Sequence, residues 1–210
     1  MSDYKIIQDN NNKTIFKIEF AYPNPIIINS LIKTRLIQGA TATDDYKIIK
    51  FKAVSVTNFT NFTKKNSNKN KITIPITANM VATLSTQLKY LIQHNYTFLG
   101  YNLENIIVIN DQIFVNLDSE LLIDIVENDM AQISSPFSTA DFFAAPELLT
   151  IKELPSYVHY KVAYFSMAKL ILNILNMEDT DESLIKGTKL YHLLSRCLNE
   201  DPKTRSILLI

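Results

Sequence analysis

Tyr101-Asn102-Leu103-Glu104-Asn105-Ile106-Ile107-Val108-Ile109 is the stretch on which the reading of this chain turns. A short polar loop runs straight into four apolar, β-favouring residues. Asn110-Asp111-Gln112 then suits a tight turn, and Ile113 to Leu117 is a second β-rich run, so the pair predicts a buried hairpin. Asp118 closes it, thirteen residues after Asn105. On the other side, Met80, Val81, Leu84, Leu88, Leu91 and Ile92 recur at three- and four-residue spacing, which predicts a helix from Ala78 to His94 with one apolar face.

Toward the N-terminus the period shortens. Tyr4 to Gln8 and Thr14 to Phe20 flank Asp9-Asn10-Asn11-Asn12-Lys13, which predicts a hairpin. Ile26 to Gln38 follows Pro23 and Pro25 at near-helical spacing, with Gly39 placed to end it. Tyr46 to Val56 and Lys71 to Ile76 read as strands. Thr57 to Asn70, between them, reads as a solvated loop. The lysines from Lys64 and Lys65 to Lys71 lack the interleaved arginines and aromatics of a nucleic-acid patch.

Toward the C-terminus, Glu120 to Thr139 has no clear period and is left unassigned. Ser156 to Met177, after Pro155, is apolar on nearly every side and predicts a helix buried all round. Ser183 to Asn199 predicts a last helix with Leu190, Leu193, Leu194, Cys197 and Leu198 as its core stripe. The fold class expected is α+β: a β-rich part with one helix, residues 1–77, before a mostly helical part, residues 78–210.

Composition narrows the function. Of 210 residues only three are glycine, against about 15 at average usage, so a glycine-rich phosphate loop is nearly excluded. Lys plus Arg equal Asp plus Glu at 21 each, and no global positive field favours nucleic acid or an anionic membrane. One cysteine excludes an intrachain disulfide framework and fits a reducing compartment. His94, His159 and His192 lack metal-ligand spacing. Val162 to Leu175 is interrupted by Lys169 and Asn173 and is too short to span a bilayer, so an intracellular protein is expected.

Three segments in order resemble the eukaryotic-type protein kinase family, over residues 78 to 205. Gln93 to Ile109 resembles the catalytic loop that closes in Lys-Pro-Glu-Asn before an apolar strand. Phe142-Phe143-Ala144-Ala145-Pro146-Glu147-Leu148 resembles the Ala-Pro-Glu end of the activation segment. Cys197-Leu198-Asn199-Glu200-Asp201-Pro202-Lys203-Thr204-Arg205 resembles the late Asp-Pro and Arg pattern. The resemblance implies a compact bilobal kinase-like fold and a structural ion pair between Glu147 and Arg205.

It also shows what is missing. Counting back from Asn105, the family's His-Arg-Asp falls on Phe98, Leu99 and Gly100, and glycine cannot accept the proton of a substrate hydroxyl. By analogy Asn105 and Asp118 would hold a metal, with Asn116 as an alternative to Asp118. Lys17 would be the strand lysine that clamps phosphate, but Ile26 to Gln38 offers it no acidic partner. Ala163 falls where an Asp normally hydrogen-bonds the catalytic-loop backbone. The residues alone also allow plainer roles: Asn105 and Asp118 bonding nearby amides, and Lys17 exposed on a strand.

The function the resemblance implies is a catalytically inactive, kinase-like scaffold or regulator that binds protein and has no catalytic residue. No cofactor, nucleic acid or membrane is expected. One alternative is a residual phosphotransferase holding ATP and Mg2+. Another is a structural virion component, since the heavy use of Ile, Asn and Lys fits an AT-rich genome such as a large DNA virus.

Overall fold

The computed structural model describes residues 3–67, 74–175 and 185–207. The protein is mixed α and β, with four small sheets among the described residues. Strands β1 (Tyr4–Gln8) and β2 (Ile15–Phe20) form the first hairpin. In β2, Phe16, Ile18 and Phe20 alternate inward while Lys17 and Glu19 face the other way. Helix α1 (Pro25–Lys33) is capped by Asn24, whose Oδ1 accepts the Ile27 N–H, and Pro25 occupies its first turn.

That helix is shorter than its apolar spacing predicts. Arg35 turns to φ 58°, its N–H donates to the Ile32 carbonyl, and Ile37 N–H donates to that of Leu31, so the chain has left the helix before Gly39. Strands β3 (Thr41–Ala42) and β4 (Ile48–Lys52) complete an antiparallel sheet of order β1-β2-β4-β3.

Over residues 57–67 the expected loop is replaced by structure, while residues 68–70 lie outside the described residues. Strand β5 (Val56–Asn58) leads into helix α2 (Phe59–Ser67), capped by Asn58, whose Oδ1 accepts the Asn61 N–H. Phe59 and Phe62, one turn apart, bury against each other and against Phe114, with ring centroids 5.7–6.2 Å apart. Of the strand expected at Lys71 to Ile76, residues 71–73 lie outside the described residues and Ile74 to Ile76 are helical. They open α3 (Ile74–Gln93), where Pro75 is compatible with a first turn. The division expected between residues 77 and 78 falls inside this helix.

Strand β6 (Tyr96–Phe98) follows α3, then a single 3-10 turn, Leu103–Asn105, and the hairpin of β7 (Ile106–Ile109) and β8 (Ile113–Asn116). Strand β5 pairs with β7, giving a sheet of order β5-β7-β8. The unassigned region holds β9 (Leu122–Asp124), paired with β6, and β10 (Met130–Ile133). After the one-turn α4 (Pro146–Leu149), β11 (Ser156–His159) pairs with β10, so the first residues of the predicted buried helix are strand. The helix begins at Val162: α5 (Val162–Ile174) is buried on all sides, from Val162 through Met167 to Leu172. Residues 176 and 177 lie outside the described residues. Helix α6 (Lys189–Cys197) starts later than expected, at a Thr188 cap, and buries Leu190, Leu193, Leu194 and Cys197. Residues 183 and 184, where it was expected to begin, are also outside the described residues.

One continuous core runs from Tyr4 and Phe16 in the first hairpin, through α3 and the β7-β8 hairpin, to α5 and α6. A second cluster joins Leu99, Leu121, Phe142, Leu148 and Phe165. Among the described residues no helix is long and apolar enough to cross a membrane.

Candidate functional site

The register of the β7-β8 hairpin builds the site. Ile106 stands opposite Asn116, and Leu117 N–H donates to the Asn105 carbonyl at 2.9 Å, so the ladder runs one step beyond the strands. Asn105 and Asp118 therefore leave the same end of the hairpin together, and Asn105 Nδ2 donates to Asp118 Oδ2 at 2.7 Å. Leu121 N–H donates to the other carboxylate oxygen at 3.1 Å. Asp118 is 4% exposed, and that burial raises its carboxyl above the ordinary carboxylate range, against the opposing effect of the Asn105 and Leu121 hydrogen bonds.

Asn116 takes a different role. It is fully buried and bonds α3: Asn116 N–H donates to Gln87 Oε1 at 2.9 Å, and Gln87 Nε2 donates to the Asn116 carbonyl at 2.8 Å. Gln87 Nε2 also reaches Ser30 Oγ on α1 at 3.3 Å. A polar chain thus links α1, α3 and β8 to Asp118, whose N–H donates to Asn116 Oδ1 at 3.3 Å. No sequence motif pointed to Gln87. The signal was a glutamine on the buried face of α3, between Leu84 and Leu91.

The first strand closes over this end of the hairpin. Tyr4 Oη donates to the Glu104 carbonyl at 3.2 Å, and Ser119 Oγ donates to Asp3 Oδ2 at 2.9 Å. Burial, then the charges of Asp118 and Glu104, push the Tyr4 hydroxyl up to about 12. The cleft that remains measures about 330 Å³ and is lined by carboxylates, among them Asp3, Glu104, Asp118 and Asp141, and the described residues lining it include no Lys or Arg. Such a wall repels a triphosphate.

Gly100, where the resemblance would place a catalytic carboxylate, is closely packed. A Cβ on Gly100 would collide with Cδ2 of the Phe142 ring, and would stand 2.6 Å from its Cε2 and 2.9 Å from Ser166 Oγ. Ser166, not Ala163, anchors the loop from the buried helix: Tyr101 N–H donates to its hydroxyl oxygen at 2.8 Å. Ala163 is buried and apolar.

Lys17 is not brought to the cleft. It stands in β2 between Ile7 and Lys50, on the face turned away from the core. The first hairpin turn is closed by its own side chains: Asp9 Oδ1 accepts the Asn11 and Asn12 N–H groups at 2.9 and 3.0 Å, and Asn12 Oδ1 accepts that of Thr14. The amides a phosphate would need are already held by a carboxylate.

Asn105 turns its amide NH2 toward Asp118, the orientation for a hydrogen bond and the reverse of that for sharing a cation. Among the described residues, no group of three or more His, Cys, Asp and Glu side chains is placed to hold a metal ion.

Glu147 and Arg205 form a bidentate pair, Nη1 to Oε1 at 2.5 Å and Nη2 to Oε2 at 3.0 Å. The Arg205 side chain is 0% exposed and that of Glu147 is 21%. Arg205 also donates from Nε to the Asn199 carbonyl and from Nη2 to that of Glu200, and its guanidinium lies 5.0 Å from the centre of the Phe165 ring. The start of α4 is thereby tied to the segment after α6 and to α5. Compared with protein-family models the chain matches none, and no curated protein shows significant sequence similarity to it.

Proposed function

We propose that this chain is a catalytically inactive, kinase-like protein, a pseudokinase, that works as a protein-binding scaffold or regulator. The observation that carries the reading is the Phe142 ring in the space a side chain on Gly100 would need. Phosphoryl transfer by this family's route needs a carboxylate there to accept the hydroxyl proton. The self-closed Asp9 turn and the acid-lined cleft work in the same direction, since neither offers a phosphate its donors. The tie between Glu147 and Arg205 supports the kinase-like half of the reading, because it joins the Ala-Pro-Glu segment to the late arginine.

A second reading, a residual phosphotransferase with ATP and Mg2+, has in its favour the meeting of Asn105 with Asp118. One titration separates the two. Thermal unfolding is followed with ATP and Mg2+, with ATP alone and with neither, alongside transfer of the γ-phosphate to a generic protein substrate. The inactive reading expects no shift and no transfer. A Mg2+-dependent shift that Asp118→Ala removes, accompanied by turnover, would overturn it.

A further inference from the structure

Three of the large apolar side chains left exposed fall in one short stretch: Leu149 at 64%, Leu154 at 37% and Tyr157 at 53%. Local structure puts them there. Helix α4 ends at Leu149 after a single turn, and the chain then crosses the surface to β11, which pairs on one side only, with β10. Among the described residues its other edge has no strand partner. Leu149 and Leu154 line a groove of about 350 Å³ together with Phe137, and Tyr157 lines a neighbouring one of about 660 Å³. The two grooves share Ile151, Lys152 and Glu153, so they form one continuous face. Lys152 and Glu153 stand exposed side by side on its rim, and neither has an ion-pair partner among the described residues.

We infer that this face, from Leu149 to Tyr157, docks a second copy of the chain about a twofold axis. A twofold contact sets a patch against itself, so the patch must be self-complementary. The exposed Leu149, Leu154 and Tyr157 side chains meet that condition, and so does a rim that carries both signs of charge, because the axis can bring Lys152 of each copy to Glu153 of the other. The free edge of β11 pairs antiparallel with its own copy under the same symmetry. With 21 basic and 21 acidic residues, the chain meets a copy of itself without net repulsion. A strongly charged partner would call for a rim of one sign, which this face lacks. Tyr157 is the anchor, an aromatic side chain of the kind that dominates interface energetics.

The test is sedimentation velocity on the full chain, over dilutions reaching about 100 µM, where a micromolar interface is close to saturated. A concentration-dependent dimer is expected. Tyr157→Asp weakens it by about tenfold or more. Glu153→Lys weakens it too, and adding Lys152→Glu to that variant restores it, because the swap re-forms both cross-axis pairs. All three positions are on the surface, and circular dichroism verifies that the variants are folded. A monomer at every concentration, or a dimer indifferent to both Tyr157→Asp and Glu153→Lys, overturns the proposal.

Discussion

The ring of Phe142 fills the space that any side chain on Gly100 would have to enter. The two positions are therefore coupled: one can be enlarged only if the other is reduced. Gly100→Ala is expected to destabilise the protein by about 1–3 kcal/mol, the usual cost of overpacking. In a Phe142→Ala background the same change should cost far less. A double-mutant cycle by chemical denaturation measures the coupling, and additive costs would mean that the ring does not guard the site. Gly100→Asp is expected to yield no phosphate transfer in either background.

Glu147→Ala should strongly destabilise the protein. It leaves the fully buried Arg205 with two carbonyl acceptors and no counter-charge, at a cost of about 3 kcal/mol. Glu147→Gln keeps one acceptor oxygen for the guanidinium and should lose less. Urea unfolding of the two variants checks the order.

Asp118 makes a prediction about pH. Its folded-state carboxyl is raised by burial, so the neutral form is favoured in the folded protein. The stability this contributes is full below the unfolded value of about 3.9 and is lost as pH rises through the folded value. Asp118→Asn stays neutral and keeps an acceptor for the Leu121 N–H. Its stability relative to wild type should therefore rise between about pH 4 and pH 7. A difference that is flat or falls over that range would show that the carboxylate is not held at a disadvantage.

His159 works in the opposite direction. Burial first, then the nearby Lys161, lower its pKa below the ordinary histidine value, and its Nδ1 accepts the Lys161 N–H at 3.3 Å. The unfolded chain then takes up the proton first, so stability falls as pH drops below about 6.5. His159→Asn should lose less stability than wild type between about pH 7 and pH 5, read from denaturation midpoints.

The parts of the fold legible in the sequence are those whose period and turn chemistry agree. The β7-β8 hairpin is one, and its register, visible as two apolar runs about Asn110-Asp111-Gln112, already brings Asn105 within reach of Asp118. Helix α2 was hidden because only Phe59 and Phe62 mark its buried side in a polar stretch, and their partner Phe114 is distant in sequence. Strand β11 was hidden for a related reason: Tyr157-Val158-His159 can be helix or strand, and β10, which decides between them, carries no clear period. At the site, Gly100 where the resemblance would put a carboxylate could be read from the sequence. The ring packed against it could not, because Phe142 reaches it through tertiary packing alone.

The continuous core has a consequence for how this protein can change. A cut between residues 77 and 78 would sever α3 after its first turn and separate β5 from its partner β7, leaving each fragment with part of a shared interior. The halves are not interchangeable modules. A shared core of this kind is expected to unfold as one cooperative unit, so that a substitution deep in either half is felt by the other.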